Sequence, residues 1–236
     1  MQTIKLIIKR QNGKIIPYEY NYFIGISLYK KLLLYQNNIR KLHSSSQIGL
    51  YTFSNIITTK GFNYGANGLD IPQGYIIFRS IDDALISYLR LGILENPIIE
   101  IKGTSYKIES VKSVNNNLDL NRNDIEFKSI SPVLVRNFKD KKLYLSNEGE
   151  VSDNLNLLAY HQLKNYFGIP NPKVTFEDLK VQKKTIRISS NGKKESITTG
   201  FNLHGRIRGT PDALSLLYYR GLGSKTSLGL GCWEEI

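Results

Sequence analysis

Three histidines, His43, His161 and His204, are the side chains of this 236-residue chain best suited to moving a proton near neutral pH. No two of them have zinc-ligand spacing, and the single cysteine, Cys232, adds little to a metal site. The adjacent Asp82 and Asp83 could suggest magnesium, but charge at a helix N-terminus explains them better, so neither a metal nor a cofactor is expected. A second chemical group closes the chain. Gly221-Leu222-Gly223 and Gly229-Leu230-Gly231 bracket Ser224-Lys225-Thr226-Ser227-Leu228, a turn with one cation and three hydroxyls. Glycine lets backbones approach closely and take φ > 0, and exposed N–H groups beside a lysine make a cradle for phosphate oxygens. The motif does not follow a strand and open a helix, so it is neither a P-loop nor a dinucleotide fingerprint. A glycine C-cap followed by a glycine-kinked strand is the structural alternative.

His43 lies in the polar stretch Lys41-Leu42-His43-Ser44-Ser45-Ser46-Gln47, after the first helical segment. Catalytic side chains often sit on such anchored loops, although a plain surface histidine has the same signature. His161 falls inside a helical segment beside its apolar stripe, which makes it a boundary residue. His204 falls in a strand near Arg206 and Arg208, within reach of a polyanion.

The charge balance names the class of that partner. The net charge of +12 divides equally between residues 1–120 and 121–236, so it is a property of the whole surface and not of a tail. It exceeds what solubility asks of a small domain and favours nucleic acid. No apolar run approaches the length of a membrane span and no signal peptide precedes the first strand, so a membrane is not expected. One cysteine excludes an internal disulfide and fits a reducing cytoplasm.

Two similar halves must position these residues. Thr3–Lys9 alternates as a strand, and Tyr20–Tyr35 carries helical stripes that include Tyr22, Ile26, Tyr29 and Leu33. Leu50–Ser54 and Tyr75–Arg79 read as strands around a glycine-marked loop. A helix begins at Ser80-Ile81-Asp82-Asp83 and ends at Gly92, before strands at Ile98–Ile101 and Ser105–Val114. The Asn-rich 115–124 is the boundary region. Beyond it come a strand broken at Pro132, a helix capped by Ser152, and two long strands joined at Asn191-Gly192. A helix opening at Thr210-Pro211 and a last strand complete the order. The first half reads β-α-β-β-α-β and the second repeats the order loosely, which gives an α+β chain of two tandem ferredoxin-like (RRM-like) domains, 1–118 and 119–236. The long hairpin is the densest basic element: Lys180, Lys183, Lys184, Arg187, Lys193, Lys194, Arg206 and Arg208. Lys180 with Lys184, and Arg206 with Arg208, fall at even separations, which puts each pair on one sheet face. Such a stripe could follow a phosphate backbone, and a solvated hairpin is the bland alternative. Most of the 15 tyrosines fall at core-like spacing, and no base-stacking platform can be assigned.

The length, the two ferredoxin-like halves and the Gly-apolar-Gly pair with its internal lysine resemble the CRISPR-associated repeat endoribonucleases, the Cas6 family of repeat-associated RNA-binding proteins. Tyr29, His43, the segment Leu50-Tyr51-Thr52-Phe53-Ser54 and Ser131-Pro132-Val133 are similar to that family in order and spacing. The resemblance implies a metal-independent endoribonuclease that cuts precursor CRISPR RNA once per repeat. The RNA's own 2′-OH would attack, leaving a 2′,3′-cyclic phosphate and a 5′-OH. His43 would be general acid or base, and Tyr29 would orient the reacting groups. Gly221, Gly223, Ser224, Lys225, Gly229, Gly231 and the basic hairpin would hold the repeat RNA. Well-known members carry a lysine six residues after the histidine, where this chain has Gly49. Lys41, Lys30 or Lys60 could supply that charge. The alternative the resemblance leaves is a non-catalytic RNA-binding subunit of a CRISPR effector complex. Contacts with other effector subunits and a homodimer both stay open. A basic structural RNA-binding protein is the reading without the family.

Overall fold

The computed structural model describes residues 1–35, 49–115, 122–137, 148–190 and 193–236, with backbone alone at 188–190 and 193–195. Its first half is built on β1 (Gln2–Asn12), whose Ile4, Leu6 and Ile8 are fully buried while the alternate residues face outward. Helix α1 (Asn21–Leu33) and helix α2 (Asp83–Glu95) cover the buried face. The strands are β2 (Tyr51–Phe53), β3 (Ile57–Thr58), β6 (Gln73–Ser80), β7 (Ile98–Ile101) and β8 (Thr104–Val114), with a separate hairpin of β4 (Asn63–Gly65) and β5 (Gly68–Asp70). The order β2-β6-β1-β8-β7, with β3 also on β6, is the ferredoxin-like order with β1 and β6 in the middle.

The second half repeats the plan as β9 (Asp124–Ser129), α3 (Glu148–Phe167), β10 (Val174–Ser190), β11 (Lys193–Gly209), α4 (Pro211–Arg220) and β12 (Trp233–Glu235). Its sheet runs β10-β11-β9-β12, antiparallel throughout, so both halves realise the expected tandem ferredoxin-like fold. A second core fills this half around Phe127, Phe176 and Trp233. The expected boundary at 118/119 and the turn Asn191-Gly192 lie outside the described residues.

Three local expectations are corrected. Helix α2 does not stop at Gly92 but runs to Glu95. A Cβ at Gly92 would stand 2.8 Å from the Lys31 carbonyl carbon, so this glycine is a helix–helix contact and not a cap. Ser152 is not a cap either, because α3 begins at Glu148 and the Ser152 hydroxyl donates to the Phe176 carbonyl, 2.8 Å. The strand expected across Pro132 ends at Ser129, after which Val133 and Leu134 make only single bridges. At the start of α2 the capping acceptor is Asp82, which takes the Ala84 N–H at 2.9 Å.

The halves are joined through buried groups. Arg79 of β6 is 3% exposed, donates to the Trp233 carbonyl and lies 3.7 Å from the Tyr218 ring centroid. Asn55 N–H donates to Ile130 O at 3.1 Å, and Thr52 Oγ1 donates to Leu230 O at 3.0 Å. No helix among the described residues is long and apolar enough to cross a membrane.

Candidate RNA-binding site

The glycine motif leaves α4, turns once as a 3-10 helix at Thr226–Leu228 and returns into β12. Its two triplets lie backbone to backbone. Leu222 N–H donates to Gly231 O at 2.8 Å, and a Cβ at Gly231 would stand 2.8 Å from the Leu222 carbonyl carbon and closer still to its oxygen. All four motif glycines have φ between 76 and 86°. The other three also meet neighbours: Gly221 against Thr52, Gly223 against Leu134 O and Gly229 against the Phe53 ring. The N–H groups of Gly221, Gly229 and Gly231 are committed to Leu217, Thr226 and Pro132 carbonyls. These three amides are therefore not free to cradle a phosphate; they set the shape of the loop.

Buried donors hold the loop from beneath. Arg220, 1% exposed, donates to Gln162 Oε1 at 2.8 Å, Gly221 O at 2.9 Å and Gly223 O at 3.3 Å. Burial lowers its pKa to about 9. Gln162 Nε2 adds a bond to Gly223 O at 3.1 Å, and Asn21 Nδ2 donates to Gly229 O at 2.8 Å. What the motif presents outward is the exposed Lys225, in the left-handed region at φ 55°, flanked by the half-buried Ser224 and Ser227. Partial burial, and then the neighbouring Arg136 guanidinium, lower the Lys225 pKa. Arg136 is also exposed, and neither cation forms an ion pair among the described residues. Two uncompensated cations beside a rigid turn suit a phosphate. Nothing in the sequence pattern singled out Arg136.

Tyr29 is half-buried against the N-terminal core beside Tyr51, whose phenol is raised by burial and then by Tyr29. It lies one turn beyond Gly25 on the same face of α1. A Cβ at Gly25 would be 3.5 Å from Leu228 Cα and 3.6 Å from Ser227 O, so that face meets the motif's turn. His43 and Lys41 lie outside the described residues. The chain returns from that segment at Gly49, where a Cβ would overlap Thr226 Oγ1 and stand 3.3 Å from Ser227 N. A side chain at position 49 would have to push the Thr226 hydroxyl aside and stand tight against the backbone of this turn. The buried Thr226 Oγ1 has no hydrogen-bond partner among the described residues.

The basic hairpin is more compensated than its composition suggests. Register places Lys180 opposite His204 and Glu177 opposite Arg206, across a bulge where Asp178 takes φ 52°. Lys180, Lys184, Arg206 and Arg208 are all exposed, but Arg208 lies 3.0 Å from Asp124 and 3.1 Å from Glu177. Arg206 lies 3.5 Å from Asp124, and Arg187 lies 3.7 Å from Glu19. His204 pairs at 3.6 Å with Glu126. His161 packs edge-on to Tyr160 on α3. Among the described residues Lys180, Lys183 and Lys184 form no ion pair. The side chains of Lys193 and Lys194 lie outside the description.

Between hairpin and N-terminal half lies a cleft of about 700 Å³, lined by Tyr18, Tyr22, Phe62, Tyr64, Lys184 and Arg187 among others. Tyr64 is 75% exposed, and its ring centroid is 5.1 Å from that of Phe62 at 64°. Exposed rings flanked by cations are what unpaired nucleotides use for stacking and backbone contact. The sequence did not reveal this, because the rings come from two segments far apart in the chain, Tyr18 with Tyr22 and Phe62 with Tyr64. Among the described residues no three of His, Cys, Asp and Glu converge as a metal would require.

Two family models cover nearly the whole chain: CRISPR associated protein Cas6, C-terminal, over residues 115–235, and CRISPR-associated protein Cas6, N-terminal, over residues 15–112. A CRISPR-associated endoribonuclease-like protein Cas6 of Pyrococcus furiosus is 25% identical over 95% of this chain and 94% of its own. The CRISPR-associated endoribonuclease Cas6 1 of Methanocaldococcus jannaschii is 23% identical over 97% of this chain and 90% of its own. Among solved structures, the product of a Cas6-related gene from Pyrococcus furiosus has a TM-score of 0.83 at 22% identity, covering 100% of this chain and 98% of that one. A RAMP protein binding different RNA substrates has a TM-score of 0.84 at 23% identity, with both chains fully covered. With both halves matched in order and the glycine loop inside the C-terminal match, the chain belongs to the CRISPR-associated Cas6 family.

Proposed function

We propose that this chain binds CRISPR repeat RNA and cleaves it once per repeat, without metal, by attack of the RNA's 2′-OH. The products would carry a 2′,3′-cyclic phosphate and a 5′-OH. Family membership supports a role in CRISPR repeat RNA binding and processing. The observation that carries the finer reading is the convergence on one turn. The segment bearing His43 re-enters at Gly49 against Thr226 and Ser227, the helix face bearing Tyr29 meets Ser227 and Leu228, and Lys225 begins that turn. His43 precedes Gly49 by six residues, and a proton-transfer residue, a phenol and a cation near that turn would supply what such cleavage needs: in-line positioning, acid–base help and charge beside the phosphate. His43 acts as general acid or base, Tyr29 orients the reacting groups, and Lys225 with Arg136 faces the phosphate. Lys180, Lys184, Arg187, Arg206, Arg208 and the aromatic cleft hold the unpaired RNA.

One observation favours a second reading, an RNA-binding subunit that does not cut. Gly49 leaves no cation in a position that the turn itself fills. Incubating the protein in EDTA with RNA of two repeats separates the two. Single cuts per repeat with cyclic-phosphate ends support cleavage, and tight binding with intact RNA supports the holding role.

A further inference from the structure

The exposed face of the N-terminal sheet carries cations that the site above does not use. Ile4, Leu6 and Ile8 of β1 point into the core, which turns Lys5, Ile7 and Lys9 to the opposite face. On β8, Lys107 lies directly opposite Lys9 and Lys112 directly opposite Lys5, with Ser110 opposite Ile7. On the other side, Tyr75 of β6 stands opposite Ile7, and Lys5 Nζ lies 4.0 Å from the Tyr75 ring centroid. The result is two lysine pairs, about 13 Å apart along β1 at the usual rise per strand residue. Between them lie the half-buried Ile7 and Tyr75.

Like charges directly opposite across an antiparallel pair destabilise a sheet. This face does it twice, and among the described residues none of the four lysines forms an ion pair. The carboxylates nearby are Glu109, at the register shift in β8, and Glu100 on edge strand β7, and neither pairs with them. The C-terminal sheet does the reverse: Arg206, Arg208 and Lys128 each have a carboxylate opposite, at Glu126, Asp124 and Glu234. Lys9, Lys107 and Lys112 are exposed, and Lys5 is half-exposed with its ammonium held over the ring. The arrangement holds positive charge in fixed rows at the expense of sheet stability, and an anion lying between the rows removes the repulsion.

We infer that this face is a second RNA-binding surface, on which an unpaired RNA strand lies with its phosphates on the Lys5–Lys112 and Lys9–Lys107 pairs. The inference rests on the reading of the chain as an RNA-binding protein. It adds contacts that follow backbone charge and not base identity, because lysine meets a phosphate as a point charge.

The test is the full chain carrying Lys9→Gln, Lys107→Gln and Lys112→Gln together, compared with the unsubstituted protein. Binding to a CRISPR repeat RNA of the chain's own genome and to poly(U) is titrated against salt. Each lysine released from an unpaired strand should remove about 0.7 from the slope of log K on log salt, so the triple variant should fall short by about 2. Its melting temperature should stay level or rise, because opposed charges are gone. Unsubstituted protein that binds RNA, with slope and affinity unchanged in the variant, would overturn this surface while leaving the RNA reading intact; a face serving an acidic protein partner gives this result. No RNA binding by the unsubstituted protein would remove both. A control with Lys225→Ala, which lies on the other surface, should lose affinity independently of the triple change.

Discussion

Substituting Gly231 by alanine separates the two roles of the glycine motif. Gly231 has φ 76°, the Leu222 carbonyl occupies the place a Cβ would need, and the Leu222 N–H donates to Gly231 O at 2.8 Å. Alanine in the left-handed region costs roughly 1–2 kcal/mol. Moving the two Gly-Leu-Gly segments apart to admit the methyl weakens the Leu222–Gly231 bond, worth about 1 kcal/mol. Together the loss should be about 2–3 kcal/mol, or roughly 4–12 °C in melting temperature for a chain of this size. Differential scanning calorimetry reads the loss, and filter binding at a temperature where both proteins are folded reads RNA affinity. Lys225→Ala should show the opposite profile: an unchanged melting temperature, weaker binding, and a salt slope smaller by about 0.7. A Gly231→Ala protein with unaltered melting temperature but lost RNA affinity would refute the division between frame and contact. It would put the glycine backbone itself on the RNA.

Other expectations concern the joint and the buried cations. Arg79→Ala should destabilise the chain by about 2–4 kcal/mol in urea unfolding, since it opens a cavity between the halves and leaves the Trp233 carbonyl without its donor; a loss under about 1 kcal/mol would mean the halves do not depend on it. Lys31, held by the Asn96 and Ile98 carbonyls, has its pKa lowered to about 8 by burial. The unfolded chain keeps that proton up to about pH 10. Between these values the unfolded state binds more protons, so stability relative to a Lys31→Met variant should rise with pH from about 8 to 10. A flat difference across that window would show that the ammonium is not desolvated.

The repeating grammar of strands and helices was legible because apolar periodicity is a local property, and it fixed both sheets and the place of the glycine motif. What failed were residues with two possible local meanings. Gly92 has the signature of a helix stop, yet it is there for the Lys31 backbone, about sixty residues earlier in the chain and beside it only in the folded state. Ser152 looks like a cap, but its hydroxyl serves Phe176 across the packed sheet. Charge was legible in amount and not in availability. Arg206 and Arg208 read as a phosphate-binding stripe, and only the strand register shows Asp124 and Glu177 beside them. Conversely, Arg136, Phe62 and Tyr64 gain meaning only from what folding brings next to them. His43 lies outside the described residues, so its role rests on the sequence and on where the chain re-enters at Gly49.

The most direct test of the central claim compares the unsubstituted protein with His43→Ala in EDTA, on RNA of two repeats with and without a 2′-deoxy sugar at the mapped cut. The account predicts one cut per repeat by the unsubstituted protein, none on the deoxy RNA, and none by His43→Ala, with affinity for the repeat nearly unchanged. Equal cleavage by His43→Ala, or cleavage of the deoxy RNA at the same bond, would contradict it.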